Sequence, residues 1–268
     1  MIIANSQKNV FKKRKQSAVL LFLIVGGLYF FFAHRLNFNG LSALSQIPSG
    51  FIWLGQNFIP NETALDGSFI ITIIETLIRT IMITITATVT AAIFAFIAAV
   101  FGSKKTGVHW TLVYMVRIIA MLFRNIPLIA WAMILLISFR QSEFTGYLAL
   151  VFGSFGYLTR TFSEIIDEIS DGILEALHAT GASYFQIIFQ GVLPMISSQL
   201  ISWLLFSIES NVREAALVGL LTGTGIGFLF NFYFSSFRYP RAGMVLLFII
   251  ITVLLLETLS NKIRRLVM

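Results

Sequence analysis

Long apolar runs alternate with short polar segments along most of the chain. Six of these runs are candidates for helices that cross a membrane, for which about 20 residues are needed. They cover residues 17–33, 68–101, 127–139, 144–162, 192–208 and 242–259. Because the runs are continuous rather than alternating in polarity, they indicate helices and disfavour a β-barrel. The pattern predicts an all-α polytopic membrane protein with about six transmembrane helices.

Two of the runs are irregular. Residues 68–101 are too many for one perpendicular span, so we expect the first part, with Glu75 and Arg79, to tilt or to lie near the interface. The third apolar stretch starts at residue 108, where an interfacial helix carrying Arg117 is expected. Pro127 interrupts this stretch, because proline removes a backbone donor and clashes with the preceding turn. We therefore expect a break before the span over 127–139.

Composition agrees with a chain that faces lipid. Of its 268 residues 57% are hydrophobic and only 12% are charged, whereas a soluble domain carries about 25% charged residues. The chain has no cysteine, which excludes disulfides and thiolate metal sites. His34, His109 and His178 are widely separated, so we expect no metal, no cofactor and no catalytic residue. A membrane-embedded enzyme is disfavoured for the same reason.

The net charge of +7 is concentrated at the ends of the apolar runs. Basic residues lie at 8–15 before the first run, at 104–105 between the second and third, and at 262–265 after the last. The positive-inside rule produces this distribution, so both termini are predicted in the cytoplasm and residues 34–67 outside. The basic clusters lack interleaved aromatics, which disfavours nucleic-acid binding and leaves the lipid bilayer as the partner. The first run also resembles a signal peptide, but the later spans favour an uncleaved anchor.

We predict two parts in the chain. Residues 1–67 hold an N-terminal cytoplasmic segment, the first anchor and an external loop. Residues 68–268 form a transmembrane domain that includes a cytoplasmic loop at 163–190. We find no repeat of fixed period, which disfavours a stand-alone secondary transporter, since these often carry internal repeats.

The loop at 163–190 predicts a short helix over residues 173–180. Its buried side would be formed by Ile173, Leu174 and Leu177. Gly181 fits the position just after the helix, where a left-handed backbone is common, and a new helix is expected near Ser183. A helix this short is not stable alone. It must dock either on the protein's own spans or on a partner.

Residues 175–194 resemble the EAA loop of ABC importer permeases, whose pattern is E-A-A, three residues, G, nine residues and I-x-L-P. The matching positions are Glu175, Ala176, Leu177, Gly181, Leu193 and Pro194. Leu177 departs from the pattern by replacing the second Ala, and Gly191 stands where the family usually has Ile. The resemblance implies that these residues form a coupling helix, which inserts into a groove of the ATPase subunit.

The segment after residue 205 resembles the permeases of phosphonate-type importers. Residues 206–213 read F-S-I-E-S-N-V-R and residues 223–227 read G-T-G-I-G, similar to the F-E-S-N-V-R and G-x-G-G-I-G elements of that branch. Residues 75–77 and 124–127 agree with the same branch. The resemblance covers roughly residues 70–259.

This resemblance implies a type I, methionine-permease-like fold in a bacterial cytoplasmic membrane. The implied partners are an ABC ATPase subunit dimer, an extracytoplasmic solute-binding protein and a second permease copy in a homodimer. The implied solute is a phosphonate or a related phosphorus oxyanion such as phosphite or a phosphate ester. Methionine or another small solute is the alternative.

Candidates for the substrate path or gate lie in the same segment. They are Glu209, Ser210, Asn211, Arg213, Gly223, Gly225 and Gly227. Arg213 either pairs with Glu209 at i+4 or offers a cation to a passing oxyanion, and we favour the pair. The glycines either form a gate that bends or allow close packing.

Threonines recur every four residues on the second run. They are Thr72, Thr76, Thr80, Thr84 and Thr88. Their hydroxyls can bond back to the preceding turn, and their small size lets helices approach. The alternative is a polar wall of the translocation path, and we favour packing.

No G-x-x-x-x-G-K-[ST] segment is present, so we do not predict an enzyme. ATP hydrolysis is expected on a separate subunit. The run from Gly223 to Phe228 lacks the G-x-G-x-x-G spacing of a dinucleotide site.

Overall fold

The computed structural model describes residues 2–61 and 63–267. Glu62, which the sequence places in the external loop, lies outside them. Within the described residues all regular structure is helical. The helices are α1 (Ile2–Arg35), α2 (Gly40–Asn57), α3 (Gly67–Gly102), α4 (Trp110–Asn125), α5 (Leu128–Phe139), α6 (Glu143–Asp167), α7 (Asp171–Ala179), α8 (Tyr184–Gln186), α9 (Leu193–Thr222), α10 (Gly225–Ser235) and α11 (Tyr239–Val267). A π-helical segment, Ile187–Val192, joins α8 to α9.

The chain divides into two compact units, one ending at Asn57 and the other beginning at Phe58. The first unit holds α1 and α2. Residues 34–67, which the sequence predicts to lie outside, include a helix that was not predicted, because α2 occupies Gly40–Asn57 despite Pro48 inside it. Leucine, isoleucine, phenylalanine and tryptophan are spread among the polar residues of this segment. They provide the apolar side chains of an amphipathic helix rather than a continuous run.

The number of helices that can cross a membrane is close to the prediction. Four described helices are long and apolar enough: Lys13–Arg35, Gly67–Gly102, Tyr184–Thr222 and Tyr239–Leu266. The pair α4 and α5 passes together but is bent by 91°, which gives up to five spans. The predicted break before residue 127 is confirmed by this bend, and Pro127 stands directly before α5.

The predicted span over 144–162 lies in α6, which is not among these helices. Glycine, serine, threonine and tyrosine are frequent in α6 and lower its apolar character. The helix packs against α3, α4, α5 and α9. A helix surrounded by protein needs small and hydrogen-bonding side chains more than it needs lipid-facing ones. The hydropathy of α6 is therefore too low to identify it as a membrane span, because the helix is surrounded by other helices.

Helix α9 extends farther than the sequence predicts. The predicted span ends at residue 208, but α9 continues to Thr222 and ends at Gly223, whose φ is +67°. Glu209 and Arg213 are four residues apart on one face of the helix and form an ion pair, so charge does not interrupt the helix here. The mixed segment after residue 208 is thus the second half of α9, followed by α10.

Two apolar cores lie at opposite ends of α3. One includes Ala99, Phe162, Leu174 and Val192 and joins α3, α6, α7 and α9. The other includes Ile73 and joins the start of α3 to α10 and α11. The loop after α3 and the short helix α7 therefore belong to the same end of the molecule.

Candidate coupling helix and translocation cavities

The short helix predicted over 173–180 is confirmed as α7. It ends at Ala179, and Gly181, two residues later, has a φ of +78° in the left-handed region that glycine adopts without a steric penalty. The chain then turns into α8 at Ser183, where a reciprocal capping box with Gln186 is formed. Leu174 is buried and Leu177 is half-buried, but Ile173 is exposed. Ile173, which the sequence predicts to lie on the same buried side as Leu174 and Leu177, is not covered by the described part of this chain.

Asp167 fixes the entrance to the loop before α7. Its carboxylate accepts hydrogen bonds from the Ser103 hydroxyl at 2.6 Å and the Lys104 backbone N–H at 2.7 Å. The Arg117 guanidinium lies 2.7 Å from the other carboxylate oxygen. One acid thus ties the end of α6 to the end of α3 and to α4. Sequence inspection missed Asp167, because nothing in its neighbourhood distinguishes it from other loop acids.

Two further contacts hold the segment around α7. The Lys105 ammonium lies 2.9 Å from an Asp171 carboxylate oxygen and also donates to the Ile169 carbonyl. The Tyr184 hydroxyl donates to the Thr106 carbonyl at 2.9 Å. Both ends of the short helix are therefore attached to the loop that follows α3.

The outer face of α7 is not covered by any part of the chain that the structure describes. Ile173, Glu175 and Ala176 are all exposed, and Glu175 has no hydrogen-bond or ion-pair partner in the described parts of the chain. A helix that is held at both ends and presents an apolar and acidic face has the form of a docking element.

The two departures from the EAA pattern contact each other. A Cβ atom built on Gly191 would lie 2.6 Å from Leu177 Cδ1, which is closer than side chains tolerate. The larger residue at 177 therefore fills the space that a side chain at 191 would need. The residues at the two positions that depart from the pattern thus fit one another within a single contact.

Leu193 and Pro194 lie where the π-helical segment becomes α9. The Leu193 backbone N–H donates to the Ile188 carbonyl, five residues earlier. The wider turn fits a proline at the next position, since Pro194 has no N–H and its ring clashes with a tight preceding turn. The helix entering the membrane is therefore continuous and does not restart at Pro194.

Glu209 and Arg213 form the pair that the sequence favours. Glu209 is buried, and its carboxylate lies 2.9 Å from Arg213 and 3.2 Å from Arg264 of α11. The carboxylate thus joins α9 to the C-terminal helix. Arg264 was not singled out from the sequence, because its neighbours in the basic C-terminal cluster suggest only membrane orientation.

Asn211 and the threonine stripe form buried hydrogen bonds between helices. The Asn211 amide donates to the Thr88 hydroxyl at 2.7 Å and to the Ser154 hydroxyl at 2.6 Å. The Thr80 hydroxyl accepts the Ile226 backbone N–H at 3.1 Å. The favoured packing role is confirmed for the buried part of the stripe, which comprises Thr80, Thr84 and Thr88.

The glycines after α9 lie where other parts of the chain approach closely. Gly223 and Gly225 have φ values of +67° and +65°. A Cβ on Gly225 would lie 2.8 Å from the Thr80 hydroxyl, and one on Gly227 would overlap the Ala216 carbonyl. Of the three glycines, Gly227 packs α10 on α9, Gly225 lies against Thr80 of α3, and Gly223 lies beside the Gln141 side chain.

Two cavities run beside α6. The central cavity, about 540 Å³ in volume, is lined by Ser210, Asn211 and Glu214 of α9 together with Tyr157 and Arg124. Glu209 and Arg213 do not line it, so the structure separates them from Ser210 and Asn211. Glu214, Tyr157 and Arg124 were not among the candidates from sequence. Of these, Arg124 could have been selected from the sequence, because it is the first residue of the R-N-I-P segment at the helix break.

The arginine cavity, about 210 Å³ in volume, lies between α4 and α6. Three arginines line it: Arg117, Arg124 and Arg160. The acid Glu164 is also present and lies 2.6 Å from Arg160. Arg124 is common to both cavities, so it lies where they meet.

The helical bundle thus carries an exposed short helix at one end and two cavities that share Arg124. Solved structures of similar fold indicate the class of protein. The chain superposes on the inward-facing MetNI methionine ABC transporter with a TM-score of 0.61 at 22% identity, covering 73% of this chain and 97% of the other. The protein therefore has the fold of ABC importer permeases.

The model of the family "Binding-protein-dependent transport system inner membrane component" matches residues 91–267. The chain belongs to this family and is a permease of an ABC importer, embedded in the membrane through several spans.

Individual relatives cover different shares of the chain. The putative cryptic phosphonate transport system permease protein PhnE2 of Escherichia coli K12 is 37% identical over 118 residues, or 44% of this chain and 97% of its own length. The phosphate-import permease protein PhnE of Mycolicibacterium smegmatis is 25% identical over 167 residues. That match spans 62% of this chain but only 31% of the relative, so this chain spans about a third of its length.

Proposed function

We propose that this permease carries a phosphonate or a related phosphorus oxyanion into the cytoplasm and that α7 couples it to an ABC ATPase dimer. The observation that carries the coupling role is α7 itself. It is attached at both ends to the loop after α3 and leaves Ile173, Glu175 and Ala176 exposed. The residues assigned to coupling remain Glu175, Ala176, Leu177, Gly181, Leu193 and Pro194, of which Leu177 acts by packing on Gly191.

Movement of α7 would reach the membrane through its attachments. Asp167 links the segment to Arg117 of α4, and α4 leads to the bend at the central cavity. Nucleotide-driven displacement of α7 would thereby change the angle between α4 and α5. Alternating access then needs no chemistry on this chain, and ATP is hydrolysed on the separate subunit.

The solute is proposed from two observations. The named relatives are permeases for phosphonate and for phosphate import, and both cavities include the cation Arg124. Of the candidates for the path, Ser210 and Asn211 line the central cavity. Glu209, Arg213, Gly223, Gly225 and Gly227 act in the path only indirectly, by holding α9, α10 and α11 in place.

The remaining arrangement follows the same scheme. With α1, the α4–α5 pair and α6 all crossing, the chain makes six passes and both termini are cytoplasmic. Residues 1–67 form the anchor and external loop, and residues 68–268 form the permease domain. Charged groups that line cavities do not face lipid stably, so we expect a second copy of the chain to cover them as a homodimer. An extracytoplasmic binding protein delivers the solute.

The test is ATP-driven uptake by the complete importer. The chain, its ATPase and its binding protein are reconstituted in vesicles, and uptake of radiolabelled methylphosphonate is measured with and without ATP. Unlabelled phosphonate, phosphite, phosphate and methionine are then added as competitors. We expect ATP-dependent uptake that phosphorus oxyanions suppress and methionine does not.

The competitor pattern decides the substrate class. Suppression by methionine alone would replace the proposed solute and keep the permease. ATP-dependent uptake without a binding protein would contradict the proposed delivery step.

A further inference from the structure

We propose that the arginine cavity between α4 and α6 is an oxyanion site in which Arg124 is the binding cation. This site is distinct from the path proposed along α9, because none of the residues that line the arginine cavity lies on α9. It rests on the proposed function only for the identity of the ligand.

The charges of the cavity are unequally paired. Arg117 lies 2.7 Å from Asp167 and Arg160 lies 2.6 Å from Glu164, so each of these two arginines has a carboxylate. Arg124 has neither a hydrogen-bond nor an ion-pair partner across residues 2–61 and 63–267. The cavity therefore carries one cation in excess. A guanidinium with all its N–H donors available suits an oxyanion, which accepts two parallel hydrogen bonds from it.

A second, independent observation points to a ligand. The Thr159 side chain lines the same cavity and is 1% exposed, yet its hydroxyl has no hydrogen-bond partner within the described chain. A buried hydroxyl without a partner costs free energy. An oxyanion in the cavity would accept a hydrogen bond from Thr159 and remove that cost.

The size and position of the cavity fit a small ligand in transit. Its volume of about 210 Å³ equals that of about seven liquid waters, enough for a small tetrahedral oxyanion with part of its hydration. Arg124 also borders the central cavity, where Glu214 is the acid. The acid Glu214 therefore makes the central cavity less favourable for an anion than the arginine cavity, whose ion pairs leave the Arg124 cation in excess. This difference directs the anion from the central cavity towards the end of the molecule that carries α7.

The absence of cysteine from the chain allows a test that does not depend on transport. Met121 lines the cavity and is 54% exposed, and Met115, on the same helix but outside the cavity, is 57% exposed. The two variants Met121→Cys and Met115→Cys are placed in neutral phosphatidylcholine nanodiscs. Labelling rates are compared for negatively charged sulfonatoethyl and positively charged trimethylammonioethyl methanethiosulfonate.

We expect the anionic reagent to be favoured at Met121→Cys, relative to Met115→Cys, by about tenfold, the lower end of the range for a cleft of one charge sign. Adding Arg124→Gln should abolish the preference, and adding Arg124→Lys should keep most of it. Methylphosphonate or inorganic phosphate should slow the labelling of Met121→Cys. Thr159→Val should weaken that protection.

Equal preference at the two positions, or a preference that survives Arg124→Gln, would overturn the proposal. Protection by phosphatidylglycerol in the nanodisc, without protection by phosphate, would identify a lipid headgroup as the oxyanion and overturn the role in transit. A failed uptake experiment together with the expected labelling pattern would reject the proposed function and keep the site.

Discussion

The segment around α7 and the junction of α9 with α10 both contain glycines and both resemble permease motifs, but they are built in opposite ways. At the α7 segment, nothing lies within 4 Å of a Cβ placed on Gly181, and polar contacts hold only the two ends of the helix. At the α9–α10 junction, a Cβ on Gly227 would overlap the Ala216 carbonyl. One region is open on its outer face, and the other is closed by backbone contact.

The comparison separates two roles that a motif alone does not distinguish. An open segment with fixed ends is suited to receive a partner and to move as a unit. A junction in which two backbones touch is suited to hold the bundle together. Substitutions at the junction should therefore affect folding, and substitutions on the outer face of α7 should affect assembly.

The largest expected effect is at the closed junction. Gly227→Ala forces α10 away from α9, because the added methyl group overlaps a main-chain oxygen that cannot rotate away. We expect a loss of about 3 kcal/mol in stability, measured as thermal unfolding of the protein in detergent. Gly181→Ala is the matched control. Its added methyl group contacts no other atom, so the only loss of stability is the strain of an alanine in a left-handed backbone conformation, about 1 kcal/mol. Equal losses of stability in the two variants would contradict the comparison.

A smaller effect is expected from the buried amide of α9. Asn211→Ala removes hydrogen bonds to Thr88 and Ser154, although the Thr88 hydroxyl keeps its bond to the Thr84 carbonyl. At about 1 kcal/mol for each bond, stability should fall by about 2 kcal/mol. Ser210→Ala, next to it on the cavity wall, serves as the control. A greater loss for Ser210→Ala would show that the interhelical bonds of Asn211 do not stabilise the bundle.

The contact between Leu177 and Gly191 allows a test of whether the residues at these two positions depend on one another. Gly191→Ile should destabilise the protein, because the new side chain meets Leu177, whereas Leu177→Ala with Gly191→Ile should recover most of the loss. A double-mutant cycle measured by thermal unfolding should give a coupling of about 1–2 kcal/mol. Additive effects would mean that the two departures from the EAA pattern are unrelated.

The smallest effect on stability is expected at Asp66, which caps the N-terminus of α3. Hydrogen bonds from Ser68 hold the pKa of Asp66 below its usual value of 3.8, since they stabilise the carboxylate. A lowered folded-state pKa stabilises the protein above pH 3.8 and ceases to do so as the pH falls through the lower folded-state value. Asp66→Asn should remove this contribution to the acid limb of a pH–stability curve. An unchanged acid limb would contradict it.

The sequence predicts the fold class, the break before Pro127, the left-handed turn at Gly181 and the ion pair of Glu209 with Arg213. Each of these depends on the chemistry of one residue or on spacing within a single helix. The amino-acid sequence does not predict that α9 continues past residue 208. It also does not predict that α6 lies in the middle of the bundle, because hydropathy indicates which helices face lipid, whereas α6 contacts other helices.

The roles of several other residues could not be predicted, because they depend on tertiary contacts. Asp167, Arg264 and Thr159 gain their roles from residues on other helices. The separation of Ser210 and Asn211 from Glu209 and Arg213 depends on which side of α9 faces the cavity, and no single sequence pattern fixes that.

The most direct test of the central claim compares two acidic residues in the reconstituted importer. Glu175 lies on the outer face of α7, and Glu168 is also exposed but precedes the helix. Glu175→Arg should abolish both co-purification of the ATPase and ATP-driven uptake of phosphonate, whereas Glu168→Arg should retain both. Full uptake by Glu175→Arg, or equal loss in the two variants, would contradict the role of α7 as the coupling helix.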